Sequence, residues 1–345
     1  MSRGDRLRLA CLGAHPDRVR GWLQQWRSAE AVLGAIGDGR IRVAPHLREE
    51  GCLPAEARWE RLAALGVEPL FRGDSGYPSH LISLPDAPDV LFCRGSLPQQ
   101  AGVAVVGTRR ASAYGLRLGE AFGRAIAQAG WWVVSGLARG VDGAAHRGTL
   151  GEGRGLAVLG CGPETWYPAE HCWLGERLLA EGGGVVTEYP PGTVPEGWRF
   201  PPRNRIISGL AGAVVVVEAA ERGGALITAR LALEQGRDVF VVPGDVDRDT
   251  SKGCNLLIRD GAHPVLGCED LIEELSLVLG PPPRLPPAVP GEEADPLLEL
   301  LGPVGRPVEW LAQRLDRSVP EVLAKLARLE AEGGVRIERD LVVRG

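Results

Sequence analysis

Six short, apolar runs, most of them rich in valine, recur between residues 101 and 280, and each ends near a glycine. They are VAVVG (103–107), WWVVSG (131–136), GLAVLGCG (155–162), GVVTEYP (184–190), AVVVVEA (213–219) and DVFVVPG (238–244). Segments of helical composition, such as GLRLGEAFGRAIAQAG, lie between the runs. Continuous apolar strands that alternate with helices are typical of a parallel sheet covered on both faces. The sequence therefore predicts an α/β fold with a Rossmann-like, doubly wound, mostly parallel sheet.

Two further segments precede the region that contains the six runs. Residues 1–65 contain RLRLACLG, DRVRGWLQQW and SAEAVLGAIG, which predict short helices in a small SAM-like or helix-hairpin-helix-like domain. Their predicted caps and ends are Ser28 or Asp17 at the starts and Gly13, Gly34 and Gly37 at the ends. Residues 66–100 are rich in turn residues, so we expect a connection with one or two edge strands, which forms one domain with the sheet over 66–280.

The C-terminal part begins with a Pro-rich stretch at 281–292, which predicts an extended, semi-rigid linker. Residues 293–345 predict three helices followed by a two-stranded ribbon, the order of a winged helix. Ser318 is the predicted N-cap of the last of these helices. The segment from 291 onward carries 8 basic and 11 acidic residues, so partner docking or a structural role is favoured over reading duplex DNA.

Composition restricts the function classes. The 345 residues carry a net charge of −5, so any binding of nucleic acid must depend on a focused patch of positive charge. The seven cysteines contain no CxxC and the six histidines show no metal-ligand spacing, so neither a disulfide framework nor a metal site is expected. Since there is neither a membrane-length apolar run nor a signal-peptide pattern, we expect a cytoplasmic protein.

The first candidate site follows the first apolar run of the sheet. Gly107 allows a sharp turn, Thr108 offers a hydroxyl, and Arg109 offers a bidentate donor for phosphate. A helix that starts near Ser112 would add amides that favour an anion. The segment 101–119 contains no acidic residue, which favours a phosphate site. A structural turn with solvated arginines is the alternative.

The second candidate site lies in the acid-free segment 197–217. Its candidate ligands to nucleic acid are Arg199, Phe200, Arg203, Asn204 and Arg205. Arginines that bind phosphates beside an aromatic face that stacks on a base are the chemistry of single-strand binding. The asparagine can read a base edge or cap a helix. The alternative is a solvated helix start with a buried phenylalanine.

The remaining candidates follow other runs. Gly223 and Gly224 precede a helix that includes Thr228, which predicts a phosphate cradle or, alternatively, a glycine-rich turn. Gly136 ends the second run, Arg139 follows it, and both are ligand candidates. Asp142 and His146 are one helical turn apart, and we expect a structural hydrogen-bonded pair rather than a general base.

Taken in order, these motifs resemble the DNA-processing protein A (DprA/Smf) family over roughly residues 75–270. The resemblance depends on YPSHL, LFCRGSL, VAVVGTR, VVSGLARGVDGAAH, AVLGCG, TEYPPG, RFPPRNRIISGLA, GGALITA, FVVPG and GCNLLIRDGA. It implies a cytoplasmic, homodimeric protein of natural transformation that binds and protects incoming single-stranded DNA and helps load the recombinase RecA. It implies no catalytic residues and no cofactor.

The resemblance also assigns residues. The family's Gly-Ser-Arg turn matches Gly107, Thr108 and Arg109, and its Phe-Pro-x-Arg-Asn-Arg motif matches 200–205. Its Ser-Gly-Ser-Leu-Ile-Thr motif matches 223–228, where Gly223 and Ala225 replace the two serines. The hydroxyl contacts of those serines would be lost, but the backbone amides remain, so we expect binding to be retained.

Two alternatives belong to other function classes. The first is a nucleotide-processing enzyme similar to the lysine-decarboxylase-like (LOG) phosphoribohydrolases, which use PGGxGTxxE. The segment GGALITARL lacks the proline, the third glycine and the glutamate of that motif, and so lacks its catalytic carboxylate. The second is a regulator that binds duplex DNA through the winged helix, which the acidic C-terminal balance disfavours.

Overall fold

The computed structural model describes residues 2–283, 297, 306–315, 317–331, 335–338 and 341–344. The chain divides into two compact units, 1–283 and 284–345. Most of the predicted linker at 281–292, and the first predicted helix of the winged helix apart from Leu297, lie outside the described residues.

A nine-stranded sheet dominates the first unit. Its strands are β1 (Glu68–Phe71), β2 (Val90–Gly95), β3 (Gly102–Val106), β4 (Val133–Ser135), β5 (Gly155–Leu159), β6 (Gly184–Thr187), β7 (Ala211–Val216), β8 (Asp238–Val241) and β9 (His263–Pro264). The order across the sheet is β1-β2-β6-β5-β4-β3-β7-β8-β9. All neighbouring strands are parallel except β1 with β2 and β2 with β6. Each of the six apolar runs overlaps one of these parallel strands, which confirms the predicted sheet.

Helices cover both faces of the sheet. Their bounds are α6 (Ser79–Ile82), α7 (Ala113–Ala129), α8 (Val141–Gly148), α9 (Cys172–Ala180), α10 (Phe200–Gly209), α11 (Gly224–Glu234), α12 (Asp249–Arg259) and α13 (Cys268–Leu279). Val103 and Val105 pack with α7, α8 and α13 on one face, whereas Ala104 and Val106 pack with α10, α11 and α12 on the other. Successive strand residues point to opposite faces, so β3 is buried on both sides and the doubly wound prediction is confirmed.

The first 65 residues form α1 (Arg3–Ala10), α2 (Pro16–Trp26), α3 (Ala29–Gly37), α4 (Pro45–Cys52) and α5 (Ala55–Ala64). The prediction of Ser28 as a cap is confirmed, because its hydroxyl accepts a hydrogen bond from the Ala31 amide at 3.1 Å. The predictions for Asp17 and Gly34 are wrong: His15 caps α2, and Gly34 lies inside α3. Leu7 of α1 and Leu62 of α5 pack on β1 and β2, so this helical module shares a core with the sheet. Its predicted status as a separate domain stays a prediction.

The second unit contains β10 (Arg306–Pro307), α14 (Val308–Leu315), α15 (Val319–Ala331), β11 (Val335–Glu338) and β12 (Leu341–Arg344). The three strands pair antiparallel in the order β10-β12-β11. Ser318 donates from its amide and its hydroxyl to the Glu321 carboxylate, which matches part of a capping box at the start of α15.

A buried ion pair connects α10 to the end of β6. The guanidinium of Arg205 donates to both carboxylate oxygens of Glu188, at 2.8 and 2.7 Å, and its Nε lies 3.4 Å from the Asp86 carboxylate. Burial raises the pKa of the Glu188 carboxyl, and the neighbouring Arg205 opposes that shift. Removing one partner of a buried pair leaves the other charge uncompensated.

We expect Arg205→Ala to lower the free energy of unfolding by about 3–5 kcal/mol, because Glu188 would stay buried without its partner. Arg154→Ala is the matched control, since Arg154 makes no ion pair with any described residue and should change stability by less than about 0.5 kcal/mol. Urea denaturation followed by circular dichroism measures both. Equal stability of the two variants would contradict the structural role of the pair.

Candidate nucleic-acid interface

A groove opens where the strand order of the sheet reverses. Strands β4, β5 and β6 extend the sheet from one side of β3, whereas β7, β8 and β9 extend it from the other. Ligands of open α/β sheets bind outside the carboxyl ends of the strands at such a reversal. We call this cavity of about 550 Å³ the central groove; it is lined by residues 106–110, 138, 142, 167, 195–207 in part, and 219–228 in part.

The amino end of α7 beside the groove is already occupied by a carboxylate. The amide and the hydroxyl of Ser112 both donate to Glu218, at 2.8 and 2.6 Å. The Ser112 hydroxyl also accepts from the Gly115 amide at 3.1 Å, so Ser112 is the N-cap of α7. The expectation that these amides receive an external anion is therefore corrected: the protein's own carboxylate neutralises this helix end.

The turn after β3 is shaped by packing. A Cβ on Gly107 would lie 2.4 Å from Cγ2 of Val141, so glycine is needed here for contact with α8. The Thr108 amide donates to the Glu218 carbonyl at 2.7 Å, and the Thr108 hydroxyl accepts from the Arg110 amide at 3.2 Å. Arg109 and Arg110 follow as exposed side chains that line the groove.

Phe200 forms an aromatic surface within the groove. The Arg109 guanidinium lies over its ring at 5.2 Å from the centroid, and that of Arg203 at 5.9 Å. The ring of Tyr167 lies 5.2 Å away, tilted by 33°. A Cβ on Gly160 would lie 2.9 Å from the Phe200 ring, so that glycine allows the close approach. The fold thus brings Arg109 of the first candidate site together with Phe200 and Arg203 of the second.

Arg203 lies at the bottom of the groove and is 4% exposed. Its Nη1 donates to the carbonyls of Gly136 and Val158, at 2.8 and 2.5 Å, and its buried Nε has no hydrogen-bond partner among the described residues. Burial lowers the pKa of Arg203, and the carboxylate of Asp142 opposes this shift. Arg203 therefore supplies buried positive charge with an unused donor.

The amino end of α11 is open to the groove. A Cβ added to Gly223 or Gly224 would meet no atom within 4 Å. Gly223 is the N-cap residue of α11, and no side chain accepts a hydrogen bond from the first amides of the helix there. The first amides of a helix have no acceptor within it, so they can donate to a phosphate. The Thr228 hydroxyl and the side-chain amide of Asn204 both donate to the Gly224 carbonyl, at 3.1 and 3.4 Å. These two hydrogen bonds hold this end of α11 in place.

Four predicted site residues do not take part in the groove directly. Gly136 is buried, and its amide donates to Asp142 at 3.1 Å while its carbonyl accepts from Arg203. Arg139 makes a bidentate pair with Glu170, at 2.6 and 2.7 Å. Arg205 is buried in its pair with Glu188. Arg199 lines a different pocket, where it pairs with Glu196 at 3.1 Å.

The predicted hydrogen bond between Asp142 and His146 is wrong. The Asp142 carboxylate accepts a hydrogen bond from the Gly136 amide, and no hydrogen bond joins it to the fully buried imidazole of His146. Burial lowers the pKa of His146 to about 3. A neutral, buried imidazole of this kind packs against the sheet, where a Cβ on Gly155 of β5 would lie 3.5 Å from its Nδ1.

Three basic or aromatic residues that line the groove were not among the predicted site residues: Arg110, Tyr167 and Arg222. A sequence signal existed for both arginines, since Arg110 adjoins Arg109 and Arg222 immediately precedes Gly223. Tyr167 follows β5 and is far from Phe200 in the sequence, so only the fold reveals that the two rings are in contact.

Among the described residues, no group of three or more His, Cys, Asp or Glu side chains could hold a metal ion. No helix in the described part of the chain is long and apolar enough to cross a membrane.

Both the sequence and the fold are similar to those of known proteins. Protein Smf of Escherichia coli K12 is 43% identical over 270 residues, which cover 75% of this chain and 72% of that protein. The crystal structure of DNA processing protein A from Streptococcus pneumoniae has a TM-score of 0.65 and 32% identity, and the match covers 79% of this chain and 98% of that one.

A second solved structure is described as showing the single-stranded DNA binding mode of DNA processing protein A from Helicobacter pylori. It has a TM-score of 0.54 and 26% identity, over 61% of this chain and 95% of that one. A family model described as DprA winged helix domain matches residues 281–339, which confirms the predicted winged helix. The model described as DNA recombination-mediator protein A matches residues 68–276. The chain belongs to the DNA recombination-mediator protein A family.

Proposed function

We propose that the central groove binds single-stranded DNA and that the protein acts as a recombination mediator. The observation that carries this proposal is the composition of the groove. Its exposed charged side chains are Arg109, Arg110 and Arg222, and Phe200 offers an aromatic ring within 6 Å of two guanidinium groups. Arginines for phosphates and a ring for a base are the elements of sequence-tolerant single-strand binding.

The acidic groups near the groove support this proposal. Asp142 lines the groove, but it is buried and its carboxylate accepts a hydrogen bond from the Gly136 amide. Glu218 is buried against Ser112. The charges of Asp142 and Glu218 are directed at internal donors, so these two groups offset little of the positive charge that Arg109, Arg110 and Arg222 place on the groove.

We propose further properties from family membership. The protein would protect incoming DNA and help load RecA during natural transformation, as a cytoplasmic homodimer. We also propose that it is a binding protein and not an enzyme, because His146, the histidine considered as a general base, is fully buried, does not line the groove and has no carboxylate partner. The structure of the Helicobacter pylori relative supports the choice of single-stranded DNA as the ligand.

The first test is a titration against fluorescent oligothymidylate and a matched duplex at two salt concentrations. We expect tighter binding of the single strand, and a loss of affinity as salt rises because bound phosphates release counterions. Equal or tighter binding of the duplex would contradict the proposal and direct attention to the winged helix. Turnover of AMP in a base-release assay would contradict the non-enzymatic role.

We expect Arg109→Ala to weaken single-strand binding and to reduce the salt slope by about 0.7, the value for one lost phosphate contact on a single strand. Arg154→Ala is again the control, because Arg154 precedes β5 at the amino end of the strand, on the edge of the sheet away from the groove. An Arg109→Ala variant with unchanged affinity and slope would overturn the assignment of the groove.

A further inference from the structure

A second, larger cavity lies between the helical module and the loop after β6. We call it the lateral pocket; it has a volume of about 820 Å³ and is lined by α4, α5, the connection from α1 to α2, and residues 190–199 in part. The segment 197–200 separates it from the central groove, since Trp198 and Arg199 line the lateral pocket whereas Gly197 and Phe200 line the groove. The two cavities are therefore neighbours along one short stretch of backbone.

The lateral pocket carries an ordered aromatic surface. Trp198 is 40% exposed, and its ring stacks on His15 at 5.2 Å with an interplanar angle of 23°. The Arg199 guanidinium lies 4.6 Å from the Trp198 centroid, and the indole nitrogen donates to Glu196 at 2.8 Å. An aromatic side chain fixed in this way loses little conformational freedom when a base stacks on it.

The lateral pocket also carries positive charge in excess. Its two glutamates are paired with arginines, Glu50 with Arg58 at 3.2 Å and Glu196 with Arg199 at 3.1 Å. Two further arginines that line it, Arg18 and Arg61, have no acidic partner within 4 Å among the described residues. Arg61 is exposed and reaches the loop after β6, where a Cβ on Gly192 would lie 2.8 Å from its Nη2.

We propose that single-stranded DNA bound in the central groove continues into the lateral pocket, so that the helical module forms part of the binding path. Arg61 and Arg18 would contact phosphates and Trp198 a base, the same pairing of cation and aromatic ring that occurs around Phe200. This inference rests on the proposed function of the central groove. It assigns to α5 of the helical module a contact with DNA that only a strand longer than the groove can make.

The test measures affinity for oligothymidylates of about 4 to 20 nucleotides, a range that spans the site sizes of single-strand binding folds. Arg61→Gln should bind the shortest oligomers as the unmodified protein does. For the longest oligomers we expect about tenfold weaker binding and a salt slope reduced by about 0.7, as for one lost phosphate contact. Trp198→Ala should weaken binding of the long oligomers by about tenfold through lost stacking.

Arg42→Gln is the matched control, because Arg42 is an exposed arginine of the same module that does not line the lateral pocket. An Arg61→Gln loss that is equal at every length, or no loss at any length, would overturn the inference. Arg109→Ala tested on the same series separates the two claims, since its lack of effect at all lengths would instead refute the groove. DNA that spans two protomers would also give a length dependence, but one that Arg61→Gln leaves unchanged.

Discussion

The carboxylate of Glu218, at the end of β7, accepts hydrogen bonds from the amide and hydroxyl of Ser112 at the start of α7. This contact joins the two strands between which the sheet reverses its order, and it neutralises the helix end that would otherwise attract an anion. In the binding mode that we propose, a phosphate in the central groove would be held by the arginine side chains and by the open amino end of α11. The chemistry of the groove follows from this internal cap.

The separation of buried and exposed charge explains how an acidic chain can present a basic groove. Asp142 and Glu218 are buried and accept hydrogen bonds from the Gly136 amide and Ser112, and the largely buried Glu188 accepts from Arg205. The net charge of −5 therefore says little about the potential at the carboxyl ends of the strands. The lateral pocket repeats the arrangement, since both of its glutamates are paired and its other arginines have no acidic partner in the described structure.

Much of the fold could be predicted, because buried parallel strands give continuous valine-rich runs such as 103–107. The partners of the site residues were harder to predict from the sequence. Arg199, Arg203 and Arg205 share one acid-free segment, yet they face the lateral pocket, the bottom of the groove and a buried ion pair. Residues on a helix turn by about 100° each, so their partners depend on tertiary packing that lies outside the segment. The Glu218 cap likewise joins residues 106 positions apart, which no local pattern reveals.

Photo-crosslinking would locate the bound strand on the protein. An oligonucleotide with 5-iododeoxyuridine at each position in turn would be bound and irradiated, and the crosslinked residues would be identified by mass spectrometry. We expect crosslinks to Phe200 or Tyr167, which line the groove, and their loss in a Phe200→Leu variant that still folds. Crosslinks confined to residues 306–344, with none in the groove, would contradict this expectation.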